Sequence, residues 1–116
     1  MTSVCIETYG CTLNQSESEE LIHQLDGYRL VDVASEAHVV VLNTCMVIES
    51  TERKILKRIE LLYGQCSHRT LIVSGCMVQQ LGDQLRSLFP ELLILQNDRV
   101  APYILAHFSC EPNLTS

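Results

Sequence analysis

No run in this 116-residue chain approaches the roughly 20 apolar residues that cross a bilayer, which argues against a transmembrane helix. The start, Met1-Thr2-Ser3-Val4, has neither the basic opening nor the uninterrupted apolar core of a signal peptide. Cations are scarce: eight Lys and Arg against fourteen Asp and Glu leave a formal net charge of −6. Such a chain is not by itself the main surface that grips a polyanion, although a local basic patch stays open. Paired C-x2-C units are missing, which removes a zinc ribbon and a dithiol redox centre. The expectation is a soluble, cytoplasmic protein without a membrane partner. There the cytosol keeps thiols reduced, so a disulfide framework is a weak reading of its six cysteines.

What is present is 47% apolar residues in short β-like runs that alternate with longer helical ones. That supports one globular α/β domain over 1–110, with 111–116 as the end of a linker. Strands are predicted at Val4–Tyr9, Tyr28–Val33, Val39–Leu42, Leu71–Ser74 and Leu92–Leu95. Helices are predicted from a start within about Asn14–Ser18 to Asp26, and at Ser50–Tyr63, Val78–Phe89 and Val100–Phe108. Val39–Leu42 is apolar at every position, as a central strand buried on both faces should be. A five-stranded, mostly parallel, flavodoxin-like three-layer sandwich of order 2-1-3-4-5 suits this pattern.

Cys11, Cys45 and Cys76 each close an apolar run just before a helical segment, and are 34 and 31 residues apart. That is about one strand-helix-strand unit. The carboxyl ends of parallel strands share one edge, so the three thiols are expected to meet there. A nearby helix start favours thiolate, the form that binds metal. Three thiolates can hold a cubane iron–sulfur cluster with one iron open, where an electron-transfer cluster has four ligands. The bland alternative is three unrelated buried cysteines. Cys5, between Val4 and Ile6, reads as core, and Cys66 and Cys110 as incidental.

Tyr9-Gly10-Cys11-Thr12-Leu13-Asn14-Gln15-Ser16-Glu17-Ser18-Glu19 resembles the first motif of the radical S-adenosylmethionine methylthiotransferases. Leu42-Asn43-Thr44-Cys45-Met46-Val47, followed by Glu52 and Lys54, resembles their second, and Ser74-Gly75-Cys76-Met77-Val78-Gln79 their third. The Thr51-Glu52-Arg53-Lys54 stretch and the Tyr-Gly-Cys start are most similar to the archaeal branch. That branch adds a methylthio group to carbon 2 of N6-threonylcarbamoyladenosine at position 37 of tRNA. The resemblance implies that Cys11, Cys45 and Cys76 ligate an auxiliary [4Fe-4S] cluster, and that tRNA is the partner of the complete enzyme. It also implies S-adenosylmethionine and a second [4Fe-4S] cluster on a radical domain of the same polypeptide. The C-x3-C-x2-C motif of that domain does not occur here, nor does an RNA-binding domain. The chain is therefore expected to be an N-terminal fragment, inactive alone. Glu17, where many relatives have Asp, and Gln96-Asn97-Asp98, where they often have a glycine-containing turn, depart from the pattern.

Two alternatives stand beside this reading. One is the ribosomal-protein branch, whose substrate is an aspartate side chain. The other is a flavodoxin-like module binding a cofactor or protein without catalysis. Against it, the loop after the first strand offers one glycine rather than a phosphate cradle. Phosphatase chemistry would need an arginine soon after Cys11, and none occurs before Arg29. Glu17, Glu19 and Glu20 are expected in the first turn of their helix, and Asn14 and Asn43 to organise loops. His23, His38, His68 and His107 are expected at surface or boundary positions. Arg53, Lys54, Lys57 and Arg58 form the one basic concentration, either a solvated face paired with Glu52 and Glu60 or a tRNA phosphate contact.

Overall fold

A computed structural model describes residues 2–9, 12–44, 49–65 and 70–108, excepting the side chains of 12–14, 49–52, 65 and 76–81. The chain runs β1 (Ser3–Thr8), α1 (Thr12–Gln24), β2 (Arg29–Leu30), a one-turn 3-10 helix (Ala34–Glu36) and β3 (Val39–Thr44). It continues through α2 (Glu49–Gln65), β4 (Thr70–Gly75), α3 (Cys76–Leu88), β5 (Leu93–Ile94) and α4 (Asn97–His107). All pairings are parallel and the order is β2-β1-β3-β4-β5, the flavodoxin-like sandwich expected from the pattern.

Central β3 explains the layering. Successive side chains of a strand point to opposite faces. Val39 and Val41 join Leu21 and Leu25 of α1, Tyr28, and Val100 and Ile104 of α4. Val40 and Leu42 join Cys5, Ile55, Ile59 and Leu62 of α2, and Leu85 of α3. Helices α1 and α4 therefore cover one face, α2 and α3 the other. Cys5 lies in the second core, where burial pushes its thiol pKa up, as suits a packing residue. Gly27, at φ 98°, turns the chain out of α1, and the Tyr28 amide donates to the Leu25 carbonyl at 3.1 Å.

The Tyr28 hydroxyl donates to the Phe108 carbonyl at 2.5 Å, with the Ile104 carbonyl at 3.3 Å, and so fastens the end of α4. Tyr28→Phe is expected to lower stability by about 1 kcal/mol, read by urea unfolding, with an unchanged far-ultraviolet dichroism spectrum.

Several expectations are corrected. Helix α1 starts at Thr12, so Glu17, Glu19 and Glu20 lie beyond its first turn and do not answer its dipole. Helical spacing predicts one apolar face of Leu21, Ile22 and Leu25 for α1, but Ser18, Leu21 and Leu25 share the buried side and Ile22 is 41% exposed at the margin. The same spacing sets Leu88 beside Leu85 on α3, yet Leu88 is 60% exposed because it ends the helix, just before Pro90 redirects the chain. Helix α4 starts at Asn97 and carries Pro102 within it, so Gln96-Asn97-Asp98 is a helix entry. His23, His38 and His107 are exposed, and His68 lies outside the described residues. Among the described residues, no helix is long and apolar enough to cross a membrane.

Candidate metal centre

Strand register brings three chain exits together. Thr8 pairs with Asn43, Asn43 with Ser74, and Thr44 with Gly75. The ends of β1, β3 and β4 are thus adjacent at one edge, and neighbouring strands are about 4.8 Å apart. The order of connection across the sheet reverses between β1 and β3, since β1 leads outward to β2 and β3 leads the other way to β4. A crevice at such a switch point is where open α/β sheets bind ligands. In sequence, Cys11 follows Thr8 by three residues, Cys45 follows Thr44, and Cys76 follows Gly75. Cys11 and Cys45 lie outside the described residues, as do Cys66 and Cys110. Cys76 is the first residue of α3, two positions earlier than the predicted helix start.

The exits of β3 and β4 nearly touch. Gly75 has φ 99° and ψ −167°, and a Cβ built there would sit 2.1 Å from the Thr44 carbonyl oxygen. Only glycine accepts that backbone region and that approach. As the N-cap of α3 it brings no side chain to the helix start, so the positive end there meets no capping oxygen.

The floor beneath the edge is polar and satisfied. The Thr8 and Ser18 hydroxyls lie 2.6 Å apart, and the Asn43 amide donates to Ser18 Oγ at 3.1 Å. The Thr44 hydroxyl donates to the Ser74 carbonyl at 2.6 Å. The Tyr9 amide extends the ladder past β1, donating to the Asn43 carbonyl at 2.8 Å. Among the described residues, every buried side-chain nitrogen and oxygen has a partner. Asn43, expected to organise a loop, lies within β3 and bonds the side chain of Ser18 instead. Ser18 organises this edge without having been anticipated.

A second network ties β1 to α2. Arg58 grips both Glu7 carboxylate oxygens, Nε to Oε1 at 2.9 Å and Nη2 to Oε2 at 2.5 Å. The Tyr9 hydroxyl donates to Glu7 Oε1 at 2.6 Å. Burial opposes ionisation of Glu7, but the hydrogen bonds from Arg58 and Tyr9, with the Arg58 charge, outweigh it and hold the carboxyl below its usual range. The Tyr9 phenol is pushed up to about 12, first by burial and then by its bond to Glu7. The hydrogen bond to Glu7 raises the Arg58 pKa further. Arg58 is therefore no member of the expected basic face. Its partner is Glu7, 51 residues away, and not a neighbour on α2. The missed signal was periodic: Glu7 shares a strand face with buried Cys5, and a carboxylate on that face calls for a cation from the covering helix.

Among the described residues, no group of three His, Cys, Asp or Glu could hold a metal ion. The thiols of Cys11, Cys45 and Cys76, expected to act as ligands, are not among the described side chains.

Comparison with known proteins adds a family. The model described as uncharacterized protein family UPF0004 matches residues 3–96. A tRNA-2-methylthio-N(6)-dimethylallyladenosine synthase of Phocaeicola vulgatus is 40% identical over 86 residues, covering 69% of this chain and 19% of that protein. Proteins of the same name from Porphyromonas gingivalis and Clostridium perfringens are 38% and 35% identical. The Clostridium alignment covers 78% of this chain and 22% of the relative. The chain spans about a fifth of the length of these relatives. Their names carry the dimethylallyl nucleoside, and the match does not distinguish the threonylcarbamoyl branch expected from the motifs.

Proposed function

The chain belongs to the UPF0004 family, and on that premise we propose that it is the auxiliary iron–sulfur domain of a tRNA methylthiotransferase, with Cys11, Cys45 and Cys76 as the cluster ligands. The observation that carries this reading is the register Thr8–Asn43–Ser74 and Thr44–Gly75 beneath those three sequence positions. When bound, the cluster supplies an open iron that holds sulfur for transfer. The chain's own residues shape and neutralise the edge. Gly75 lets two exits approach, Ser18 and Asn43 fix the floor, and Arg58 neutralises Glu7, four residues before Cys11. An uncompensated carboxylate near thiolates would raise their pKa and weaken metal binding.

The substrate in this proposal is a tRNA adenosine substituted at N6 and methylthiolated at carbon 2. The motifs favour the threonylcarbamoyl substituent and the names of the relatives favour dimethylallyl. S-adenosylmethionine and a second cluster belong to a radical domain outside this chain. Complementation of strains lacking one or the other methylthio nucleoside, with the complete protein, assigns the substituent.

The ligand assignment is tested by anaerobic reconstitution with iron and sulfide. Cys11→Ser, Cys45→Ser and Cys76→Ser are each expected to remove most of the visible absorbance and bound iron. Cys66→Ser and Cys110→Ser should retain wild-type iron. Equal loss at all five positions, or a flavin spectrum from the untreated chain, would sink the proposal.

A further inference from the structure

Four of the eight Lys and Arg in this acidic chain fall within six residues of α2. The structure divides them. Arg58 turns to Glu7 beside the sheet, whereas Arg53, Lys54 and Lys57 are exposed. At 100° per residue, these three occupy a sector of about 100° opposite the buried Ile55, Ile59 and Leu62. Leu61, 49% exposed, lies within the same sector one turn further on. Glu60 is an exposed acid beside it, and the side chains of Glu49 and Glu52 on the same helix lie outside the described residues.

The position of this stripe matters as much as its charge. Helix α2 begins at the carboxyl edge of the sheet, so Arg53 to Lys57 lie roughly 6–12 Å along the helix from that start. The layer on the other face has the opposite character. Helix α1 presents exposed Glu19 and Glu20, with Glu17 half-buried, and α4 brings Asp98 near Glu17 and Glu20. The candidate metal edge therefore has a cationic flank on α2 and an anionic flank on α1 and α4. A polyanion approaching that edge is repelled from one side and held on the other. Packing against another protein domain would call for an apolar face, and this one is charged with a single leucine.

We infer that Lys54 and Lys57, with Arg53, form a backbone-binding stripe for the RNA strand whose base reaches the metal edge. This inference rests on the tRNA reading above and adds the surface of this chain that meets the RNA. The contact is to phosphate, so it orients the strand and carries no sequence information.

The test is a titration of the chain with a synthetic anticodon stem-loop RNA, followed by fluorescence anisotropy at several low salt concentrations. The Lys54→Gln, Lys57→Gln double variant should weaken binding about tenfold, equally for RNAs of different sequence. The slope of log affinity against log salt should fall by about 1.4–1.8, from 0.7–0.9 per lost phosphate contact. Arg86→Gln, on α3 and paired with Asp83, should bind as the wild type does. Both lysines are exposed, and matching dichroism spectra establish that the variant is folded. No RNA binding by the wild type, an unchanged slope, or equal loss in Arg86→Gln would overturn the inference. The titration needs no iron. A chain that assembles its cluster but fails here loses only this inference, and one that binds RNA through the stripe without assembling a cluster loses only the metal assignment.

Discussion

Gly75→Ala is expected to lower stability by about 3–5 kcal/mol, a large part of the 5–15 kcal/mol typical of a domain. Two separate penalties add. The backbone at φ 99° and ψ −167° is a region essentially reserved for glycine, and holding another residue there costs about 1–3 kcal/mol. The new Cβ would also lie 2.1 Å from the Thr44 oxygen and 2.8 Å from the Thr44 nitrogen. These are backbone atoms of the central strand, so the overlap is relieved only by moving β3 and β4 apart, for roughly another 2 kcal/mol. Thermal unfolding should show a midpoint lower by about 10–25 °C. A midpoint within a few degrees of wild type would show that the two exits can separate freely.

Removing the guanidinium beside Glu7 is the next largest expected effect. Arg58→Met keeps much of the packing but leaves a half-buried carboxylate without its cation, and about 1–2 kcal/mol should be lost at pH 7. The pH dependence is more diagnostic. In the wild type, Glu7 titrates below its unfolded value of about 4.3. Its stabilisation is therefore complete above that value and lost as pH falls through the folded pKa. In Arg58→Met the cation is gone and burial prevails, so protonating Glu7 favours the folded state and the deficit shrinks in acid. Tyr9 sets the other limit. Its pKa of about 12 exceeds the unfolded value of about 10, so its contribution is full below pH 10 and fades as pH rises towards 12. Urea unfolding at pH 3, 7 and 11 should show wild-type stability highest at pH 7 and a variant deficit smaller at pH 3 than at pH 7. A deficit equal at pH 3 and 7 would mean that Arg58 acts through packing alone.

The parallel layering was readable because each signal was local and repeated, whereas the strand order came from the structure, since periodicity says nothing of which strand pairs with which. Val39 to Leu42 announces a strand buried on both sides, Gly27 ends α1, and Pro90 follows α3. The meeting of three strand ends also followed, since lengths near one βαβ unit leave few other arrangements. Less accessible were features decided by packing at a distance. Nothing near Arg58 in sequence names Glu7 as its partner. Ile22 and Leu88 satisfy a helical period and yet miss the core, one at the margin of a face and one at a helix end. Helix α4 extends three residues before Val100, a start that the apolar period from Val100 onward does not show. The nucleoside substituent is divided between two signals, the motifs favouring threonylcarbamoyl and the relatives' names dimethylallyl, and this chain is about a fifth of those relatives.

Wholly parallel pairing has a consequence for how the molecule is made. Val4 meets Val39, Val39 meets Thr70, and Ile72 meets Leu93, so no rung of the ladder joins near neighbours and no hairpin exists among the paired strands. As the chain leaves the ribosome, β1 must wait for β3 some 35 residues behind it, with a whole helix still to emerge. Closing such loops before any contact rewards them slows assembly. The apolar segment of β3 is the piece most in need of company during that interval, since it has partners on both edges and cores on both faces. Synthesis and assembly are thereby coupled at β4: until Thr70–Gly75 arrives, the end of β3 has a wall only on the β1 side.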